Sequence, residues 1–274
     1  MSLSGRIAMA GATDTGQVRD HNEDAIAHLS DMGLLVLADG MGGLKAGEIA
    51  SAMAVEVVTA ELEAELKGIE VGQSDQSTGY ALESLAVGAA VLKANATIFN
   101  VAQTQPQCAG MGTTLVVVLF YDNRFTVAHV GDSRLYRLRQ NQLEQVTQDH
   151  SLVQELVDRG FYTPEEARHA SNRNIVTRAI GIGEEVTYDM QEEIALVGDV
   201  LLLCSDGLND MLADELIRQI LVEHQQDLEK ATQALVDTAN AYGGRDNISV
   251  IAARVDRPFS ARKGWLRQLT GWLD

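Results

Sequence analysis

The sequence predicts an α+β fold of packed layers, and three observations carry that expectation. Strand-like and helix-like segments arrive in groups without strict alternation, which argues against a doubly wound parallel sheet and for a layered architecture. The pair Asp122-Asn123 between two apolar runs is a hairpin signal, and hairpins join antiparallel neighbours. With 274 residues, only three prolines and no low-complexity linker, the chain is long enough to bury a large core and carries no visible domain boundary.

The elements follow in order. Short β-branched or apolar runs at Arg6–Ala12 and Gly33–Ala38 read as strands, bounded by Gly, Asp or Asn. Gly47–Leu66 reads as a helix because Ile49, Met53, Val57 and Ala60 recur at intervals of three or four, as one buried face requires. The polar stretch Gly68–Ser77 is expected to be a loop leading to a second helix over Thr78–Ala102. Three strands are then expected at Thr113–Tyr121, Arg124–Val130 and Leu135–Leu138, and a helix at Ser151–Arg159. Strands at Asp199–Cys204 and Asn247–Val255 bracket helices at Asp210–Glu223 and Leu228–Tyr242. In the tail, Trp265, Leu269 and Trp272 fall on one helical side with Arg262, Lys263 and Arg267 nearby, a basic amphipathic pattern. Docking back onto its own domain is the expected use of that tail, with a partner or membrane surface as the alternative.

A formal net charge of −18 repels a phosphate backbone at long range, so nucleic-acid binding is not expected. The first residues lack a basic start followed by a sustained apolar stretch, and no window reaches eighteen uninterrupted apolar residues, so the chain is expected to be cytoplasmic and not membrane-spanning. Its two cysteines, Cys108 and Cys204, have no paired spacing and fit reduced thiols.

The chemistry lies in the aspartates. Leu34–Ala38 runs into Asp39-Gly40, Val127–Val130 into Gly131-Asp132-Ser133, Leu201–Cys204 into Ser205-Asp206-Gly207, and Asp246 opens the last strand. A strand end fixes the backbone while a neighbouring glycine lets it turn and exposes its carbonyl, so each carboxylate can reach a ligand beyond the sheet edge. A single Asp-Gly is usually a plain turn. Four carboxylates converging would repel one another unless cations neutralise them. All the donors are hard oxygens without Cys-x-x-Cys or His-x-x-x-His beside them, which selects Mg²⁺ or Mn²⁺ over zinc. Two such ions about 4 Å apart can share a water and lower its pKa from about 15.7 toward neutrality for in-line attack on phosphorus. Upstream, in Arg19-Asp20-His21-Asn22-Glu23-Asp24, Arg19 offers a fork of donors that matches two phosphate oxygens, and Glu23 and Asp24 are candidates to hold metal-bound waters.

Taken together, Arg19-x-x-Asn22-Glu23-Asp24, Asp39-Gly40-Met41-Gly42-Gly43, Gly47-Glu48-x-Ala50-Ser51, Gly112-Thr113-Thr114, Gly131-Asp132-Ser133-Arg134, Asp149-His150-Ser151, Ser205-Asp206-Gly207-Leu208 and Gly244-x-Asp246-Asn247 resemble the ordered signature of the bacterial metal-dependent serine/threonine phosphatases of type 2C. The match runs from about Ile7 to Val255. It implies a four-layer α/β/β/α sandwich, with two central antiparallel sheets flanked by helices and the metal centre at one end. Residues 1–256 would form that domain, with a mobile flap at about 150–186, and 257–274 the tail. Asp39 would bridge two core ions, the Gly40 carbonyl would bind the second, and Asp206 and Asp246 would complete the first. Asp132 with Asp206 would match a weaker third site, and Arg19 would grip the substrate phosphate.

Departures from the pattern limit what carries over. Relatives often have a histidine directly after Asp-Gly-Met-Gly-Gly or at the position of Met41, and this chain has Leu44-Lys45 and Met41 there. The general acid then falls to a water or to His21, the candidate in the upstream loop. A common His-Pro pair in the flap appears as Ala170-Ser171. The expected activity is hydrolysis of phosphoserine and phosphothreonine by a monomeric protein opposing a serine/threonine kinase. A pseudophosphatase that binds phosphoproteins without hydrolysing them is the alternative from another class.

Overall fold

The computed structural model describes residues 2–43, 46–168, 170 and 172–261. Leu44-Lys45, Ser171 and the tryptophans of the tail therefore lie outside the described residues. The strands are β1 (Ile7–Asp14), β2 (Asp24–Leu29), β3 (Leu34–Met41), β4 (Gly112–Thr113), β5 (Leu115–Tyr121), β6 (Arg124–Val130), β7 (Arg134–Arg139), β8 (Gln142–Gln145), β9 (Asp189–Ile194), β10 (Val200–Cys204) and β11 (Ile248–Val255). The helices are α1 (Ala46–Glu65), α2 (Leu82–Thr104), α3 (Leu152–Asp158), α4 (Pro164–Arg168), α5 (Asp206–Asn209), α6 (Asp214–His224) and α7 (Leu228–Ala241).

One sheet runs β1-β11-β10-β7-β8 and the other β2-β3-β5-β6-β9, with β4 paired to β3. Every pairing is antiparallel. The continuous apolar runs of β3 and β5 follow from burial on both faces. Leu34, Val36 and Ala38 face α1 and α2 together with Leu115, Val117 and Leu119. Leu35 and Leu37 point the other way with Val116 and Val118, meeting Leu201, Leu203, Ile251 and Ala253 of the second sheet. The outer face of that sheet packs Leu202, Val250 and Ala252 against Ile217, Leu221, Leu235 and Val236 of α6 and α7. The period-two alternation of strand side chains thus builds three apolar layers and the expected four-layer sandwich.

By length and composition α2 could cross a membrane. Its Val87, Ala90, Val91, Ala94 and Ile98 instead lie in the core against the first sheet. The hairpin signal is realised as well: Asp122 and Asn123 adopt φ of 41° and 57°, the left-handed pair that a two-residue antiparallel turn requires.

Three expectations shift. The helix expected over Asp210–Glu223 is α6 and begins only at Asp214, with the separate short helix α5 before it, and α2 begins at Leu82 instead of Thr78. Asp206 opens the four-residue helix α5 directly after β10. Strands β2, β8 and β9 and the short helix α4 were not expected. β2 is the Ala-rich DAIAHL, and β9 is the charged DMQEEI on a sheet edge, where one side of the ladder needs no partner.

Candidate metal centre

The ends of β3, β6 and β10 and the beginnings of β2 and β11 meet at one end of the sandwich. In an antiparallel arrangement, alternate strands arrive at and leave the same rim, so Asp24 stands opposite Asp39 in the β2–β3 ladder. The backbone of Asp39 is held on both sides. Thr114 Oγ1 accepts its N–H at 3.0 Å, while Thr113 Oγ1 and the Thr114 N–H donate to its carbonyl at 2.8 and 2.9 Å. Thr114 Oγ1 also shares a 2.8 Å hydrogen bond with Ser133 Oγ, beside Asp132. The Gly-Thr-Thr and Gly-Asp-Ser-Arg motifs thereby fix two carboxylates relative to one another.

The N-terminal turn of α1 presses on the same place. A Cβ on Gly40 would lie 2.1 Å from the Gly47 carbonyl oxygen and 2.6 Å from that of Glu23, so only glycine permits this approach. The upstream loop is tied down by asparagines. Asn247 Oδ1 accepts the Glu23 N–H at 2.8 Å, and its amide donates to the carbonyls of Thr15 and His21 at 2.9 Å.

The resulting carboxylate cluster is electrostatically crowded. Burial first, and then Asp24, Asp206, Asp132 and Asp246, push the Asp39 carboxyl well above the usual carboxylate range. Asp206 is raised in the same way by burial and by Asp132, Asp210, Asp246 and Asp24. Burial lifts Asp24 to about 6 against the opposing hydrogen bonds of Ser249 and Ser205, the latter at 2.8 Å. Burial and the charge of Asp149 lift Asp132 to about 6. Asp24 Oδ1 is buried with no hydrogen-bond partner. Hard, crowded oxygen donors with an unsatisfied buried acceptor among them fit divalent cations of the Mg²⁺ or Mn²⁺ type.

The structure brings together all four strand-end aspartates, with Gly40, Glu23 and Asp24 beside them. Arg19 sits at the rim, half exposed, and its guanidinium donates to Asp246 Oδ2 at 2.6 Å. This bond is the first cause of its raised pKa. His21 is exposed on the loop. A cleft of about 650 Å³ runs from Asp132 and Asp206 along α3 toward Asp214, crossed by the Arg173–Asp210 ion pair at 3.3 Å.

Beside the cluster lies a group that residue patterns did not single out for metal. His129, His150 and Asp189 bring one donor atom each within 4.8 Å of one another, close enough to hold a divalent ion. The two rings stack with centroids 4.6 Å apart. His150 Nδ1 accepts the Gly131 N–H at 3.1 Å, which leaves the proton on Nε2, 3.3 Å from Asp189 Oδ2. His129 Nε2 is bonded to the Gln148 carbonyl at 2.8 Å. Burial lowers the pKa of both imidazoles. Neutral, engaged imidazoles suit Mg²⁺ or Mn²⁺ less well than the carboxylate cluster does. Their visible work is to join the segment beginning at His150 to Gly131, next to Asp132. The Asp149-His150-Ser151 motif marked half of that contact, whereas His129 within β6 and Asp189 on the charged edge strand gave no signal of their own.

The chain is 39% identical over 246 residues to the serine/threonine protein phosphatase PstP of Mycobacterium tuberculosis, covering 90% of this chain and 44% of that protein. The chain therefore spans about half the length of that relative. With the serine/threonine phosphatase stp of Listeria monocytogenes it shares 36% identity over 250 residues, 89% of this chain and 94% of the relative. A crystal structure of the PstP catalytic domain in complex with two manganese ions superposes with a TM-score of 0.77 at 38% identity, covering 91% of this chain and 98% of that one. The model of the family described as protein phosphatase 2C matches residues 15–249, from the loop before Arg19 to the strand behind Asp246, and so the chain belongs to the protein phosphatase 2C family.

Proposed function

We propose that the protein is a metal-dependent phosphatase acting on phosphoserine and phosphothreonine in proteins, with a serine/threonine kinase and its substrates as its partners. The observation that supports this most directly is the cluster of Asp39, Asp206, Asp132 and Asp24, whose mutual repulsion and unpartnered Asp24 oxygen bound cations would relieve at neutral pH. Asp39, the Gly40 carbonyl, Asp206 and Asp246 would hold two ions, and Asp132 with Asp206 a third. When bound, such ions supply an activated water and neutralise phosphate charge. The protein's own residues do the rest. Arg19 swings between Asp246 and two phosphoryl oxygens, orienting phosphorus over the carboxylates. Glu23 at the rim, with the buried Asp24 behind it, would hold metal-bound water by hydrogen bonds. His21 is the side chain proposed to pass a proton to the departing hydroxyl. The two free cysteines, which are unpaired, are in keeping with a cytoplasmic setting.

The test is phosphate release from a phosphothreonine peptide in Mn²⁺. Asp39→Asn and Asp206→Asn are each expected to lower the rate more than about 100-fold, and EDTA to abolish it. Wild-type turnover by Asp206→Asn would overturn the reading. Binding of the peptide without phosphate release by the unaltered protein would establish the pseudophosphatase instead.

A further inference from the structure

Away from the metal centre, the described chain ends on the wall of a second cavity of about 680 Å³. Leu66, Ile69, Val71, Leu119, Phe120 and Phe259 give it an apolar lining, and its size falls in the range of roughly 300–1,000 Å³ that takes an organic ligand or a few large side chains. Asp31, Glu63, Glu83 and Asp122 line it as well, against the single cation Lys67. Glu83 is 2% exposed, and its Oε1 accepts the Gly72 N–H at 2.8 Å. Its Oε2 is buried with no hydrogen-bond partner. A buried carboxylate oxygen left unsatisfied beside Asp122 asks for a donor.

The chain is led to this cavity and held there. Asn123 Oδ1 accepts the Phe259 N–H at 2.6 Å, and Asp122 Oδ1 accepts the Ser260 hydroxyl at 3.1 Å and the Ala261 N–H at 2.9 Å. The Phe259 ring meets Phe120 edge-on, with centroids 5.9 Å apart. The hairpin turn Asp122-Asn123 thus clamps the residues from which the tail departs, and Ala261 itself lines the cavity.

Thirteen residues follow Ala261: Arg262, Lys263, Gly264, Trp265, Leu266, Arg267, Gln268, Leu269, Thr270, Gly271, Trp272, Leu273 and Asp274. They hold three cations, one carboxylate side chain and both tryptophans of the protein, in a chain whose net charge is −18. We propose that this groove is the docking site of the chain's own C-terminal segment, Trp265 and Leu269 filling the apolar floor and Arg262, Lys263 or Arg267 meeting Glu83 and the acidic rim. Three features support that occupant over another. The segment starts on the groove wall, its charge is opposite to the rim, and its aromatic residues match the lining. Thirteen residues reach about 20 Å even as a helix, ample to cross such a groove.

Because Trp265 and Trp272 are the only tryptophans, intrinsic fluorescence reads the tail alone. In the full chain we expect a blue-shifted emission and weak quenching by acrylamide, both independent of protein concentration. The exposed rim residues are reversed in the double variant Asp31→Lys/Glu63→Lys, which touches neither the core nor the metal centre. Its acrylamide quenching constant is expected to rise roughly threefold, with phosphatase activity unchanged. As a second probe, Glu83→Gln should red-shift the emission while circular dichroism stays native. Wild-type tryptophans quenched as readily as a synthetic 258–274 peptide would overturn the proposal. Shielding that appears only at high protein concentration would replace it with a second copy as the occupant, and shielding only on anionic vesicles with a lipid surface. Shielding indifferent to both variants would also reject this groove.

Discussion

Arg19 and Asp246 share one hydrogen bond, and that bond joins the phosphate site to the metal site. A guanidinium beside Asp246 restrains the carboxylate and keeps Arg19 aimed over the cluster, half exposed and ready to exchange partners. Arg19→Ala removes the fork that matches two phosphoryl oxygens while leaving Asp39 and Asp206 in place. The expected result is a KM for phosphopeptide raised about tenfold with a much smaller change in kcat, since a charge-assisted bond formed in both ground and transition states is lost. Steady-state kinetics at saturating Mn²⁺ measure the split. Arg19→Lys should recover little, because a point charge cannot reproduce the bidentate geometry. A kcat that falls as far as kcat/KM would show instead that Arg19 works mainly in the transition state.

At the scale of the element, the first turn of α1 decides whether the cluster stays assembled. Gly47 lies where a Cβ would be 2.7 Å from Glu23 Oε1 and 2.9 Å from the Gly40 carbonyl carbon. Alanine is the better helix former by about 1 kcal/mol, so propensity alone predicts a more stable helix. Glu23 can yield at its flexible end, but the Gly40 backbone is held inside the β3 ladder and against Glu23, so α1 must shift. Overpacking of this kind costs about 1–3 kcal/mol and outweighs the gain. Gly47→Ala is therefore expected to lower Tm and Mn²⁺ affinity together, read by calorimetry and manganese titration. A stabilised variant with unchanged affinity would refute the close approach. The same scale shows what sequence could reveal. Asp39, Asp132 and Asp206 were legible because each ends a run of apolar residues buried on both faces, and such runs are unambiguous. Asp24 was legible as a candidate to hold metal-bound water but not as a strand residue facing Asp39, since β2 lacks a strong pattern and pairs with β3 through tertiary contact. β9, with Asp189 and Glu192, was hidden because an edge strand tolerates charge at alternate positions. Of the tail, only the amphipathic pattern was legible, while the groove beside it depends on residues from six separate segments.

For the whole molecule, the cost of the carboxylate cluster should appear as a dependence of stability on pH that metal reverses. Asp24 and Asp132 are raised to about 6 and Asp39 and Asp206 are raised well above the ordinary carboxylate value, so the folded state holds protons that the unfolded chain releases near pH 4. Their contribution is fully present below that unfolded value and is lost as pH rises through about 6 and beyond. A shift of about two units is worth on the order of 3 kcal/mol, enough for several degrees of Tm in a domain of this size. His129 and His150 act oppositely: their lowered pKa values favour the fold above the ordinary imidazole range and weaken it as pH falls. Four deeply placed carboxylates outnumber two imidazoles. In EDTA, Tm is therefore expected to fall as pH is raised from about 5 to about 8. Metal binding requires deprotonated carboxylates and strengthens over the same interval, so Mn²⁺ should flatten or invert the slope. Asp39→Asn should flatten the EDTA slope without metal, because an amide in that position carries neither the proton nor the repulsion. Calorimetric scans across pH with EDTA and with Mn²⁺, on both proteins, measure all four curves. A Tm in EDTA that rises steadily over that interval would mean that the imidazole pair, and not the carboxylate cluster, governs the ionisation of the fold.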